Sequence, residues 1–240
     1  LFDVLIRFVA LVQVADCMRG SAESQTDALV NIREFRKLSR FALGDWVSLF
    51  RSLRQFKTES PFLVELTGLD VDEKILDDFV KLRNDTRGHG TTQGDAYYKT
   101  IFEQHIGKME ELLRAFGFLR NYWLLRPISI THGGAYCDFS AWKLTGANPS
   151  FNKQNVRARS PLSVDRVVYL NRNLEALELD PYMVVETCEQ CGREEFLLFD
   201  KFSGEKITYL GYDTCPKPHR SSYPYAHKLP RLLLEANRRA

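Results

Sequence analysis

The residues with the most chemistry per unit length lie in the run Leu82-Arg83-Asn84-Asp85-Thr86-Arg87-Gly88-His89-Gly90. It supplies a guanidinium that stays charged, a side-chain amide, and an imidazole whose ordinary pKa lies near neutrality. Breaking a phosphodiester without a metal needs a base for the ribose 2′-hydroxyl proton, a fixed charge at the phosphate and an acid for the leaving oxygen. His89 suits the base or acid role. Arg83 can hold two phosphate oxygens, and Asn84 can orient the phosphate or fix the tautomer of His89. Arg87 adds a further cation for phosphate. The competing reading of the same residues is architectural: Arg83 ties down a helix end and Gly88-His89-Gly90 makes a turn.

A second constellation lies in the C-terminal half. Cys188-Glu189-Gln190-Cys191-Gly192 has the spacing of a metal knuckle, in which two thiolates converge and the glycine permits the turn. Cys215 and His219 follow, so that Cys188, Cys191, Cys215 and His219 would form a closed structural zinc site with no position left for catalytic water. The alternative is a degenerate knuckle with packed thiols. Cys17 and Cys137 read as small buried apolar residues. Five cysteines at uneven spacing point to a reducing compartment, hence the cytoplasm, rather than to a disulfide framework.

Composition narrows the remaining choices. At 240 residues, 44% hydrophobic and 27% charged, the chain reads as globular, with room for a sizeable core. It begins Leu1-Phe2-Asp3 without an initiator Met, as expected of a piece of a longer protein. The apolar start, interrupted by Asp3 and Arg7, is too short to span a bilayer and lacks the basic start of a signal peptide, so no membrane partner is expected. Net charge of +2 does not argue for nucleic acid, but its distribution is uneven. Lys153, Arg157, Arg159, Arg166 and Arg172 face only Asp165, and the tail carries Lys217, Arg220, Lys228, Arg231, Arg238 and Arg239 against Glu235. Lys153, Arg157 and Arg159, with Arg87, are the candidate nucleic-acid contacts; solvated loops and a helix face explain the same clusters. Phosphate-cradling glycine loops, a nucleophile elbow and paired metal-binding carboxylates are all missing from the sequence.

The elements that must position these residues change character near Leu119. Before it, apolar spacing predicts five helices: a central one from Leu1; a second starting at Thr26 or Asp27 with Leu29, Ile32, Phe35 and Leu38 inward; a third with Trp46, Val47, Phe50 and Leu53; a fourth from Asp70 or Asp72 with Ile75, Leu76, Phe79, Val80 and Leu82; and a long fifth carrying Ile101, Phe102, His105, Ile106, Met109, Leu112, Leu113 and Phe116. Arg83 follows Phe79 by four residues and so projects from the edge of the buried face. His105 belongs to its helix's apolar stripe and reads as a packed histidine. After Leu119 come strands at 122–125, 135–139, 166–170 and 182–185, and a hairpin of 195–199 with 206–210 around a loop at 200–205. Residues 145–161 read as a loop or ligand-contacting segment, and a helix or linker begins at Lys228. The expected class is α+β: a helical domain at 1–119, an antiparallel β module at 120–227 and a terminal helix at 228–240.

Arg83-Asn84 followed by His89 resembles the motif of HEPN domains, which are helical, usually dimeric nucleotide-binding modules. Many are metal-independent ribonucleases of bacterial defence and toxin systems. The resemblance implies catalytic roles for Arg83, Asn84 and His89, a site completed across a homodimer, RNA as substrate and no cofactor for catalysis. Thr91 stands where one subgroup carries a modified tyrosine, which disfavours that toxin–antitoxin type. The helical part followed by Cys188 to Gly192 and Tyr209-Leu210-Gly211-Tyr212 is also similar to a recurrent bacterial arrangement within larger defence or signalling proteins, so further domains or a partner effector are expected. Two other readings stand beside the ribonuclease: a non-catalytic dimerisation or nucleotide-sensing module, and a zinc-stabilised nucleic-acid adaptor using 153–172 and 217–239.

Overall fold

The apolar N-terminal run folds as helix α1 (Phe2–Met18), with Ile6, Val9, Ala10, Leu11, Val12 and Val14 all buried. A helix apolar around its circumference belongs at the centre of a fold. The computed structural model describes residues 1–37, 41–56, 61–88, 94–144, 153–188, 192–203, 206–211 and 220–223. Helix α2 (Ala22–Asn31) starts earlier than predicted, because the Ser21 hydroxyl accepts the Ser24 N–H at 3.2 Å and caps the polar stretch. It also ends earlier. Ile32 turns extended and Arg33–Lys37 forms a separate 3-10 turn, which lets both Ile32 and Phe35 reach the core. The expected partner Leu38 lies outside the described residues.

Helix α3 (Leu43–Gln55) buries Trp46, Val47, Leu49, Phe50 and Leu53, and the Asp45 carboxylate accepts the Ala42 N–H at 2.8 Å at its start. Helix α4 (Glu73–Gly88) starts after Asp72, whose carboxylate accepts the Lys74 N–H at 2.8 Å. It turns Ile75, Leu76 and Phe79 inward, and Phe79 stacks on Phe2 at 4.9 Å. Helix α5 (Asp95–Ala115) completes the helical part.

Two antiparallel sheets follow, giving the expected α+β class. The first contains β1 (Trp123–Gly133), β2 (Tyr136–Lys143), β3 (Lys153–Ala158), β4 (Val168–Leu170) and β5 (Ala176–Glu178) in the order β3-β2-β1-β4-β5. The second contains β6 (Met183–Thr187), β7 (Glu194–Ser203), β8 (Lys206–Gly211) and β9 (Arg220–Tyr223) in sequential order. β3 corrects the expectation of a loop over 145–161. As an edge strand it is polar at most positions, so it lacks the alternation that marks a half-buried strand. β1 runs beyond the predicted 122–125 because a register shift between Pro127 and Ser129 absorbs the proline. β7 likewise runs through the predicted loop at 200–203. The expected terminal helix at 228–240 lies outside the described residues.

The main hydrophobic core is continuous from α1 and α3 into the second sheet, joining Ile6, Val9 and Trp46 to Phe199, Ile207 and Tyr209. A smaller core on the first sheet gathers Leu125, Phe139, Ala158, Leu162 and Val168. Among the described residues no helix is long and apolar enough to cross a membrane.

One charged contact sits inside the main core. Arg7 Nη1 donates to Asp200 Oδ1 at 2.9 Å, with the two side chains 5% and 8% exposed. The Arg7 guanidinium lies 4.8 Å from the centroid of Trp46, and its Nη2 reaches Asp3 at 3.2 Å. The register shift between Phe199 and Lys201 lets consecutive residues Phe199 and Asp200 both face inward. Removing one partner of such a pair strands a buried charge. Asp200→Ala should therefore lower the free energy of unfolding in urea by about 3–5 kcal/mol. Arg7→Met combined with Asp200→Leu should recover most of that loss.

Candidate functional site

Arg83 and Asn84 occupy the C-terminal part of α4. Arg83 is half-buried, as its spacing from Phe79 predicts, and Asn84 is exposed. Arg83 Nη1 donates to Asn84 Oδ1 at 3.2 Å, so the guanidinium and the amide form one polar unit. Thr86 Oγ1 donates to the carbonyls of Leu82 at 2.8 Å and Arg83 at 3.2 Å, occupying acceptors at the helix end. The C-terminus of a helix carries partial negative charge. An anion bound there gains nothing from the helix dipole and depends on side-chain cations. Arg87 lies in the last turn of α4, while its side chain and the whole of His89 lie outside the described residues.

Helix α5 touches α4 at two points. Lys108 Nζ meets Asp78 Oδ2 at 2.5 Å, and the His105 ring lies 6.0 Å from that of Phe79. The Lys108 hydrogen bond holds the Asp78 carboxyl below the usual carboxylate range. Arg83 lies one turn beyond Phe79 on α4. The N-terminal half of α5 is exposed: Tyr98 is 47% and Phe102 62% accessible, and Leu113 further along is 42%. The predicted buried stripe is thus only partly covered. Leu112 alone is buried among the residues of α5, and Phe116 just beyond it packs on Phe50 at 5.8 Å. Periodicity identifies which residues share a face, and here few described elements lie against that face. His105 is half-buried rather than packed in the core, and its Nδ1 has no hydrogen-bond partner.

The other candidate residues stand elsewhere. Lys153 and Arg157 are exposed on β3, and Arg159 is exposed just beyond it. Arg157 binds Asp138 across the strands, Nε to Oδ1 at 2.6 Å and Nη2 to Oδ2 at 3.0 Å, with its guanidinium 5.5 Å from the Tyr136 ring centroid. That pairing neutralises its charge and weakens its standing as a phosphate contact. Cys188 is buried at the end of β6, whereas Cys191, Cys215 and His219 lie outside the described residues. Among the described residues no group of three or more His, Cys, Asp and Glu side chains could hold a metal ion.

The sequence reading passed over a cavity of about 280 Å³, lined by Gln13, Asp16, Cys17, Arg54, Leu63, Thr67 and neighbours. Gln13 Oε1 and Arg54 Nε are buried without hydrogen-bond partners. Burial pushes the Cys17 thiol up to about 12, which removes it as a nucleophile near neutrality. Burial also raises the Asp16 carboxyl, opposed by the Phe62 N–H donated at 2.7 Å and by Arg19. The available signal was Gln13 and Asp16 in the second half of a mostly apolar helix.

No family model matches the chain, and no curated protein or solved structure matches it either.

Asp16 yields a pH prediction. Its pKa in the folded state lies above the unfolded value near 3.8, so the folded state holds the proton more tightly. Its contribution to stability is complete below pH 3.8 and is lost as pH rises through the raised pKa. The stability of wild type relative to Asp16→Asn, from urea unfolding at a series of pH values, should fall over that window and then level off.

Proposed function

We propose that the chain is a HEPN-type endoribonuclease of a bacterial defence system, acting as a homodimer in a reducing cytoplasm. The observation that carries this reading is the Arg83–Asn84 pair near the end of α4, hydrogen-bonded together. In the proposed reaction His89 takes the 2′-hydroxyl proton or protonates the leaving oxygen. Arg83 holds the phosphate, with Asn84 fixing the orientation of the guanidinium, and Arg87 adds a second cation. Because a helix C-terminus repels anions, Arg83 and Arg87 supply the positive charge that the backbone there cannot. A second copy brings the complementary set, and further domains or a partner effector control access.

A second reading draws on the α5 face by itself. Tyr98, Phe102 and Leu113 offer apolar surface suited to a second copy, and dimerisation needs no catalysis. In that reading the module senses a nucleotide through Arg83 and regulates an attached effector.

Labelled RNAs of mixed sequence, incubated in EDTA with wild type, Arg83→Ala and His89→Ala, separate the two. The ribonuclease reading expects cleavage leaving 2′,3′-cyclic phosphate ends, reduced about 10²–10⁴-fold in His89→Ala. A folded dimeric wild type that leaves every RNA intact favours the sensing module over a ribonuclease active without its partner domains. Both readings expect Phe102→Asp to convert a dimer to a monomer in analytical ultracentrifugation. The helical circular-dichroism signal should survive, because this side chain is 62% exposed in the single chain.

A further inference from the structure

We propose that the cavity between α1, α3 and the chain at 61–67 is a small-molecule site. Its ligand is an uncharged fused-ring heterocycle carrying one hydrogen-bond donor and one acceptor. The cavity has a volume of about 280 Å³, and no residue of α4 lines it, so it is separate from the Arg83–Asn84 pair.

The chain along one side of the cavity is tied down at both ends. At one end the Phe62 N–H donates to Asp16 Oδ2 on α1 at 2.7 Å. At the other, Arg54 Nη2 on α3 donates to the Leu69 carbonyl at 2.6 Å. Between these ties Val64–Gly68 forms a 3-10 turn, and Leu63 and Leu66 are 3% and 5% exposed. Both leucines line the cavity together with Val12 and Cys17 of α1 and Leu53 of α3. Protein interiors are close-packed, and an apolar void forfeits the dispersion contacts its walls would make with each other. Here the two ties fix the turn in place, so the walls form a largely preformed site. Thr67, also in the lining, is exposed and sets the mouth at the surface. A wider hollow of about 510 Å³ shares Arg54, Leu66 and Thr67 with the cavity and provides a path in.

Size and wall chemistry set the ligand class. An apolar cavity of about 150 Å³ holds one benzene ring, so about 280 Å³ accommodates two fused rings. The charged groups of the lining are already met. Asp16 pairs with Arg19 at 2.7 Å, and Arg54 pairs with Glu73 at 3.1 Å. An ion would enter a mostly apolar space with no counter-charge left for it, at a large desolvation cost. Burial also raises the Asp16 carboxyl, which lowers the negative charge of the wall. Two polar atoms of the lining side chains are buried without partners among the described residues, the acceptor Gln13 Oε1 and the donor Arg54 Nε. Unpaired buried polar atoms are costly, which favours a ligand N–H for Gln13 and a ligand oxygen or ring nitrogen for Arg54. The terminal torsion of a glutamine is soft, so the Gln13 amide can turn to meet that N–H.

Quinolin-2-one, with two fused rings, one N–H and one carbonyl, is the probe, and naphthalene is the apolar control of the same shape. Equilibrium dialysis of each against the full chain gives its dissociation constant. Wild type should bind quinolin-2-one saturably. Gln13→Leu should weaken quinolin-2-one by about three- to tenfold, the loss of one neutral hydrogen bond, and leave naphthalene no weaker. Thr67→Trp, at an exposed position, should obstruct the mouth and weaken both compounds while its urea unfolding curve matches wild type. The absence of saturable quinolin-2-one binding below about 1 mM in wild type overturns the site. So does unchanged quinolin-2-one affinity in Gln13→Leu or in Thr67→Trp, which would put the compound elsewhere. An equal loss of both compounds in Gln13→Leu overturns the polar recognition.

Discussion

The buried contact between Arg7 and Asp200 is the constraint on which the rest of the architecture depends. A guanidinium at the centre of an apolar helix is unfavourable unless its charge is met, and here Asp200 of β7 meets it. The pair does not add much net stability, since desolvating both ions offsets most of their attraction. Its contribution is selectivity. Only one docking of the second sheet onto α1 satisfies the arginine, sets its guanidinium against Trp46 and places Phe199 edge-on to the same indole at 6.3 Å. A sheet slipped by one residue would set Phe199 or Lys201 where the carboxylate must be.

The first sheet is joined to the helices by aromatic rings. Tyr169 on β4 stacks on Tyr122 at 5.0 Å, meets Phe8 of α1 at 5.5 Å edge-on and lies 6.1 Å from Phe62. The Tyr122 hydroxyl donates to Glu65 at 2.6 Å. Helices α1, α3 and α4 each bury several apolar side chains, and α5 buries Leu112 alone. The C-terminal end of α5 is anchored by Leu112 and Phe116, and its N-terminal half exposes Tyr98 and Phe102. The proposed dimer would use this exposed surface.

Much of this was legible in the sequence, for identifiable reasons. The stripes Trp46-Val47-Phe50-Leu53 and Ile75-Leu76-Phe79 are long and periodic, and the helices carrying them are present with those faces buried. The edge position of Arg83 followed from its spacing to Phe79 alone. What was hidden depends on tertiary context. The bend at Ile32 serves two side chains that must reach the same core, and no local residue announces it. β3 is polar because it is an edge, and edges lack the alternation by which strands are recognised. α5 shows the limit most clearly, since its pattern is as regular as that of α3 and its burial is far less. The neutralisation of Arg157 depended on Asp138 in another strand, 19 residues away.

The link between Arg7 and Asp200 spans 193 positions of the chain. Synthesis is vectorial, so α1 leaves the ribosome long before β7 exists. During that interval the most apolar of the described helices carries a cation with no buried partner, and its surrounding face has no sheet to cover it. The native core therefore closes late, after the second hairpin has emerged. A nascent chain halted before Asp200 would expose α1, leaving it a target for chaperones and proteases instead of a finished helical domain.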